Sequence, residues 1–561
     1  MSERLTRRGL LGRGSAAAGA AALGSVAGGA LAPLAQAQED DGPNVLLIVA
    51  SGLRADSVGA FDGAFDDNQV ASTPNLDDLA GDSLRFERAV PEATLGVPSR
   101  RALVTGKRSF PYREWRRRDG FAPVPGWNPV YVRQPLITEV LADEGIAAKW
   151  VTDNPFFSGP RFEDVVVRTT DVDPDDYPVP DPVEGTLGSE QTERDVERHL
   201  VSSIERGAEA MDRAVDVGIR ELNRLRNGQF FLAVDAFDPA EAFYAPRHWT
   251  RTLDVNPSLG ATMKRRDWLV PADIRDGTVA LARNAYMKGV EQIDGAVGRL
   301  LDKVDDLGLA DDTIVWFVSD GGTMLGEHGW IGRGAPGTYK HAYFVPFLLR
   351  DPKGRRSGDH TYYYASTHDV APTLLSMMGI DRPGRMDGED LTALLDDEDP
   401  PTRPAFMCAS VCDIAAGDPR WLLVTDMQGD EKTLHDFDNE DSDHEDDEEE
   451  NVVRKHPPVV DELWKVPLAA AGGTFPEFDA DGPVRPPIED DDKDDDGIED
   501  ADETSDEQSG DTRDADNDDL DFDQSANDPN AQSIPESDAP TTDTTPAAPP
   551  VTPAPAAPTQ P

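Results

Sequence analysis

The strongest constraint on the fold is a set of continuous apolar runs in the first two thirds of the chain. The first run, Asn44–Val49, is bounded by Pro43 and Gly52. A strand that is buried on both faces has this character, because neither face needs polar side chains, and such strands are typical of parallel sheets. Three similar runs follow, at Gln229–Val234, Thr313–Val318 and Val345–Leu349.

Amphipathic stretches lie between these runs. Residues 195–225 and 286–307 repeat apolar side chains at three- and four-residue steps, which indicates helices with one buried face. Strands that alternate with helices predict an α/β fold, in which a mostly parallel central sheet is flanked by helices on both faces. In such sheets the chemistry lies where the strands end, so the residues after each run are the first candidates for a site.

The charge balance excludes one class of partner. The chain has 108 Asp and Glu against 53 Lys and Arg, a formal net charge of −55, which argues against binding to the phosphate backbone of a nucleic acid. Only 11 of the basic residues are lysines. Scarce lysine and abundant carboxylates predict a surface adapted to high salt (halophilic), where screening weakens the self-repulsion. The alternative is an ordinary protein with one very acidic tail.

The two cysteines, Cys408 and Cys412, are too few for a disulfide scaffold or a Cys-rich metal module. A small disulfide, a metal pair and two buried thiols all stay open for them.

The N-terminus has the features of an export signal. Arg7 and Arg8 precede an uncharged Ala/Gly-rich stretch that ends in Ala35-Gln36-Ala37, a small-x-small cleavage site. Residues 1–37 are therefore predicted to be a twin-arginine signal peptide. No later run has the apolar length of a membrane-spanning helix, so we expect the mature chain outside the cytoplasm, secreted or associated with the cell surface.

The C-terminal tail, residues 472–561, is predicted to be disordered. It is acidic at first and becomes rich in Thr, Pro and Ala from Pro540 onwards. Within it, alternate carboxylates surround Gly497 in a pattern that resembles the loops of thrombospondin type 3-like repeats and could wrap Ca²⁺. The carboxylates are those of Asp492, Asp494, Asp496, Asp500 and Glu503. A solvated run of acids is the alternative.

Eight segments between residues 43 and 470 occur in the order typical of one enzyme family. They are Asn44–Asp56, Thr73–Asp77, Pro98–Lys107, Phe230–Pro246, Asp311–Gly329, His368–Leu375, Met386–Gly388 and Arg420–Asp438. Together they resemble the sulfatase family of the alkaline phosphatase-like superfamily. The resemblance implies a sulfatase-like α/β domain over residues 43–400 and a small antiparallel C-terminal subdomain over residues 401–471.

The resemblance also implies catalytic positions, and most of them are altered. Sulfatases use a cysteine, converted to formylglycine, as nucleophile, and a divalent cation, usually Ca²⁺, that neutralises the sulfate oxygens. The nucleophile position corresponds to Gly96, which has no side chain that could attack. Of the metal-ligand positions, Asp320 is retained, whereas Ser51, Gly52 and Gly321 stand where carboxylates or another ligand are expected. One carboxylate and a hydroxyl should hold Ca²⁺ weakly.

The anion-binding positions are partly kept. Ala240 stands in place of a sulfate-binding histidine, whereas Arg100, Lys107 and Arg333 keep positive charge and His328 lies in a Gly-Glu-His-Gly segment. The three cations could grip a sulfated or phosphorylated ester or glycan without reacting with it, or they could form structural ion pairs with nearby acids. His328 could act as a base or be a hydrogen-bonded structural residue.

Three functions are compatible with these residues. The first is an exported pseudo-sulfatase that binds an anionic ester but has lost hydrolysis. The second is an active sulfuric or phosphoric ester hydrolase with rearranged ligands, which could recruit Asp56, Asp66 or Asp67. A hydroxyl nucleophile would then come from Thr94 or Ser99. The third is a structural surface protein with a calcium-binding tail.

Overall fold

The first apolar run forms strand β1 (Asn44–Ala50), and all of its residues are buried. The computed structural model of the chain describes residues 42–61, 71–94, 96–111, 115–116, 124–125, 134–152, 160–169, 210–235, 275–325, 327, 331–332, 338–396, 402–410, 413–426, 429, 431–437 and 451–475. The other strands are β2 (Leu84–Phe86), β3 (Trp115–Arg116), β4 (Val124–Pro125), β5 (Ala147–Thr152), β6 (Val166–Arg168), β7 (Phe230–Asp235), β8 (Thr313–Ser319), β9 (Met324–Leu325), β10 (Ile331–Gly332), β11 (Phe347–Arg350), β12 (His360–Thr361), β13 (Phe406–Ala409), β14 (Asp413–Gly417), β15 (Trp421–Asp426) and β16 (Lys432–Asp436).

The main sheet has eight strands in the order β12-β2-β11-β8-β1-β7-β5-β6. Strand β1 pairs in parallel with β7 on one side and with β8 on the other. Strands β5, β6 and β7 continue the parallel arrangement. Strand β11, from the fourth apolar run, is antiparallel to both of its neighbours. The prediction of a mostly parallel sheet is confirmed, and β11 is apolar because burial on both faces demands it in either direction.

Helices cover both faces of this sheet. In the described part of the chain the helices are α1 (Pro74–Gly81), α2 (Gly96–Thr105), α3 (Ile137–Asp143), α4 (210–225), α5 (Arg275–Asp306), α6 (Lys340–Tyr343), α7 (Val370–Met377), α8 (Thr392–Asp396) and α9 (Pro457–Ala470). Side chains of β1 alternate between two cores: Val45 and Leu47 belong to the core under α2, α3 and α7, and Leu46 and Ile48 to the core under α4 and α5. Each fully buried side chain of this size stabilises the fold by about 1.5–3 kcal/mol, which explains why the runs contain no polar interruption.

A second, four-stranded antiparallel sheet follows in the order β13-β14-β15-β16, and α9 packs against it. It is the small antiparallel sheet expected after the main domain. The sheet also contacts the segment that leads into α2. The Thr94 amide donates to the Ala409 carbonyl at 3.0 Å, and the Ala409 amide donates to the Glu92 carbonyl at 3.0 Å. The domain boundaries at residues 400 and 471 stay predictions.

Several predicted segments lie outside the described residues. These are the export signal, the acidic calcium loop and the Thr/Pro/Ala-rich end of the tail. Within the described part of the chain, none of the helices combines the length and the apolar character that crossing a bilayer requires.

Candidate functional site

The candidate site forms where three neighbouring parallel strands end. Because β1 lies between β7 and β8, the ends of these strands are adjacent: Val49 pairs with Asp235, and Ala50 pairs with Ser319. Asp320 follows β8 directly. Helix α2 contributes Arg100, whose side chain is fully buried against this edge. The topology of a doubly covered parallel sheet therefore brings these side chains together, although they are far apart in sequence.

Asp320 is buried and held from three directions. The Gly52 amide donates to Oδ1 at 3.1 Å, and the Ser51 hydroxyl donates to Oδ2 at 3.2 Å. The guanidinium of Arg100 forms an ion pair with Oδ2. Gly52 has a φ of +66°, a left-handed conformation that glycine adopts without the strain of a Cβ atom. The predicted group Ser51, Gly52 and Asp320 is thus brought together.

Burial dominates the electrostatics of Asp320. Loss of solvent and, to a smaller extent, the nearby Asp235 raise the pKa of its carboxyl, and the net effect of all neighbours is a pKa of about 6. Arg100 and the Gly52 amide act in the opposite direction, because both favour the ionised carboxylate.

Asp235 is the site residue that the sequence analysis missed. It is the last residue of β7, and its side chain has no exposed surface. Arg100 donates to it from Nε at 2.9 Å and from Nη2 at 2.7 Å. The Trp150 indole and the Thr152 hydroxyl donate to Oδ2 at 3.1 and 3.2 Å. The sequence does contain a signal for it, because Asp235 is the acid at the end of the apolar run that forms the strand next to β1.

Arg100 joins the two carboxylates. Besides Asp235 and Asp320, its guanidinium donates from Nη2 to the Ser51 hydroxyl at 2.5 Å and from Nη1 to the Gly96 carbonyl at 3.3 Å. The side chain has no exposed surface. Of the two roles open to Arg100, an anion grip or an ion pair, the fold realises the ion pair.

The position predicted to correspond to the nucleophile is the first residue of α2. Gly96 is buried there, and the whole of α2 is buried with it. Thr94 and Ser99, the alternative hydroxyls, are also buried. The Ser99 hydroxyl has no hydrogen-bond partner among the described residues, so none of them is positioned as a base to take its proton.

Two other predicted residues lie away from this cluster. The Lys107 ammonium binds the Asp387 carboxylate at 2.8 Å and the Arg385 carbonyl at 2.6 Å, so Lys107 also forms an ion pair. Asp56, an alternative metal ligand, forms an ion pair with the buried Arg54. Neither contacts Asp320 or Arg100 in the described structure.

Two of the remaining predicted residues are described, and the others are not. Cys408 is a buried free thiol on β13, and burial raises its pKa well above the ordinary value. Residue Gly321 follows Asp320, and its carbonyl accepts a hydrogen bond from the Ser319 hydroxyl at 3.0 Å. The others lie outside the described residues: Asp66, Asp67, Ala240, His328, Arg333, Cys412 and the five acids of the tail loop. Among the described side chains, no three His, Cys, Asp or Glu come together as a metal-binding group.

Comparison with known proteins decides the family. Residues 43–380, more than half of the chain, match the Sulfatase family model. The chain belongs to the sulfatase family. The resemblance inferred from the motifs is therefore confirmed.

Individual sulfatases share the same region. This chain is 26% identical to human iduronate 2-sulfatase over 401 residues, which cover 63% of this chain and 68% of the relative. It is 22% identical to N-acetylglucosamine-6-O-sulfatase of Bacteroides thetaiotaomicron over 435 residues, or 65% and 72% of the two chains. A solved structure in complex with its substrate D-glucosamine-2-N,6-O-disulfate has the same fold, with a TM-score of 0.55 and 17% identity over 77% of this chain and 98% of the other.

Proposed function

We propose that this sulfatase-family protein is a pseudo-sulfatase, which binds a sulfated or phosphorylated ester or glycan without hydrolysing it. One observation carries the proposal: Gly96, which the family motif predicts to be the nucleophile position, is the buried first residue of α2 and has no side chain. Without an attacking group the two-step covalent chemistry of the family has no first step.

The surroundings of Gly96 support the same conclusion. The neighbouring hydroxyls of Thr94 and Ser99 would need a base or two metal ions to become nucleophilic. The carboxylates nearest to the site, Asp235 and Asp320, are both held by Arg100. Charge neutralisation of a sulfate group would therefore have to come from elsewhere in the chain.

The class of ligand is inferred from the relatives. Iduronate 2-sulfatase and N-acetylglucosamine-6-O-sulfatase are named for sulfated sugars, and the chain covers about two thirds or more of each. Of the three cations that the sequence offers for an anion, Arg100 and Lys107 are engaged with acids, and Arg333 lies outside the described residues.

Two assays test the proposal on the full chain. The first measures turnover of chromogenic sulfate and phosphate esters with Ca²⁺, Mg²⁺ or Mn²⁺ and with EDTA, and we expect no turnover. Turnover that disappears in Asp320→Ala would overturn the proposal. The second measures binding of N-acetylglucosamine 6-O-sulfate, with unsulfated N-acetylglucosamine as the matched probe. Equal or absent binding of the two sugars would remove this sugar as a ligand.

An active hydrolase with rearranged ligands is the second candidate, and Asp235 is the observation that favours it. Asp235 adds a second buried carboxylate beside Asp320, so the site is less depleted of negative oxygens than the family motifs indicated. The same ester assay separates the candidates. A rearranged hydrolase requires turnover that is lost in Asp235→Asn.

We also propose that the protein acts outside the cytoplasm. The twin-arginine pattern of residues 1–37 and the acidic, lysine-poor composition support this location. Replacing Arg7 and Arg8 by lysine should leave the protein in the cytoplasmic fraction. Unchanged export of that variant would contradict the assignment of the signal.

A further inference from the structure

Two fully buried carboxylates share one fully buried cation at the end of the sheet. The side chains of Asp235, Asp320 and Arg100 all have no exposed surface. Two ionised carboxylates at such close range repel each other strongly when water is excluded, so the pair needs positive charge beside it.

The guanidinium of Arg100 occupies the space between the oxygens that surround it. It reaches both oxygens of Asp235 from Nε at 2.9 Å, and it also contacts Asp320 and the Ser51 hydroxyl. A divalent ion bound by these oxygens would have to sit about 2.3–2.6 Å from each of them, in the volume that the guanidinium fills.

Further hydrogen-bond donors face the same two carboxylates. The Gly52 amide, the Trp150 indole and the Thr152 hydroxyl donate to the two carboxylates at 3.1, 3.1 and 3.2 Å. Backbone and indole N–H groups have no lone pair to offer a metal. The set of groups therefore suits a guanidinium and does not suit Ca²⁺, the ion that the family resemblance implies.

We propose that the Arg100 guanidinium is a built-in cation, which takes the place of a divalent ion between Asp235 and Asp320. This edge of the sheet then folds without bound metal. Arg100 is also withheld from any anionic ligand, since moving it would leave two buried carboxylates uncompensated. The inference concerns only what neutralises these two side chains, so ester hydrolysis that needs no metal ion at Asp235 and Asp320 leaves it unchanged.

Terbium luminescence can test the proposal, because Trp150 would sensitise an ion bound at Asp235. The tail beyond residue 475 contains no Trp or Tyr of its own, and the comparison with Asp235→Asn subtracts the emission of any ion bound elsewhere. The full wild-type chain should show no emission above that of Asp235→Asn. Arg100→Met should gain emission, and the double variant Arg100→Met/Asp235→Asn should lose it.

Thermal unfolding supplies a second readout. Replacing EDTA by Ca²⁺ should shift the unfolding midpoint of the wild type no more than it shifts that of Asp235→Asn. Arg100→Met should unfold at a lower temperature than the wild type in EDTA, and Ca²⁺ should raise its midpoint. Asp235-dependent emission or stabilisation in the wild type would overturn the proposal, and so would a folded Arg100→Met that binds no ion. If Arg100→Met does not fold, the wild-type comparison decides alone. Ester turnover that persists in EDTA would contradict the pseudo-sulfatase proposal and leave this inference standing.

Discussion

Glu92 provides a test of how buried charge stabilises the junction between the two sheets. Its side chain is buried just before α2. The Arg108 guanidinium donates to Oε1 at 2.9 Å, and the Ser109 amide donates to Oε2 at 3.2 Å. His368 Nδ1 lies 3.0 Å from Oε1. Glu92→Gln keeps the shape of the side chain but removes its charge.

The magnitude follows from the pKa of Glu92. Burial alone would raise that pKa, but His368 and Arg108 outweigh it and lower the pKa from 4.5 to about 2. Because the pKa is lower in the folded state, the ionised form stabilises the fold above about pH 4.5, and this contribution disappears as the pH falls towards 2. A pKa difference of this size corresponds to a stabilisation of the folded state by about 3 kcal/mol at neutral pH and by about half of that near pH 3.

Urea unfolding of the wild type and of Glu92→Gln measures this difference directly. The variant should lose about 3 kcal/mol of unfolding free energy near pH 7, and the loss should shrink as the pH falls. Glu87→Gln is the matched control, because Glu87 pairs with Arg85 at 2.7 Å in a partly exposed position, where such a pair contributes about 1 kcal/mol or less. A loss for Glu92→Gln that equals the control, or that stays constant with pH, would refute the reasoning.

Two further substitutions probe the rest of the core and the site. Arg403→Met removes a bidentate ion pair with the buried Asp369, whose two N–O distances are 2.8 and 2.9 Å. The variant should lose about 3–5 kcal/mol of unfolding free energy in urea, because it leaves a buried charge uncompensated; a loss under about 1 kcal/mol would contradict this. Gly322→Ala places a Cβ 2.0 Å from the His341 carbonyl oxygen and should lower the unfolding free energy by about 3 kcal/mol, because it overpacks the turn after β8. Gly295→Ala on α5 is the control: it has open space around it and should be neutral or stabilising. Equal effects of the two substitutions would show that the turn relaxes freely.

The fold was predictable because burial on both faces leaves a clear mark on a strand. The runs at β1, β7 and β8 contain only apolar residues between their first and last positions, and the strands begin and end within one residue of the predicted bounds. The direction of β11 was not predictable, since an apolar run has the same composition in either orientation. Helix α5 extends from Arg275, eleven residues before the periodic stretch that indicated it.

The site was only partly predictable. The motifs identified Ser51, Gly52 and Asp320 as one group, because the family order of segments fixes which strand ends meet. They did not identify Asp235, because the family pattern in that segment drew attention to Ala240 instead. The pairing of Arg100 with two acids depends on how α2 packs against β7 and β8, and no local sequence signal reports a contact across 135 and 220 residues.

The backbone pairing between Ala409 and the segment Glu92–Thr94 ties the C-terminal sheet to the helix that carries Arg100. A shortened chain that stopped near residue 400 would therefore leave the approach to α2 without its hydrogen-bonding partners, and would loosen the helix at the end nearest to Asp235 and Asp320. Removing the last sheet is for this reason not equivalent to trimming an appendage: the two parts of the molecule should be lost or kept as a unit, in proteolysis as in evolution.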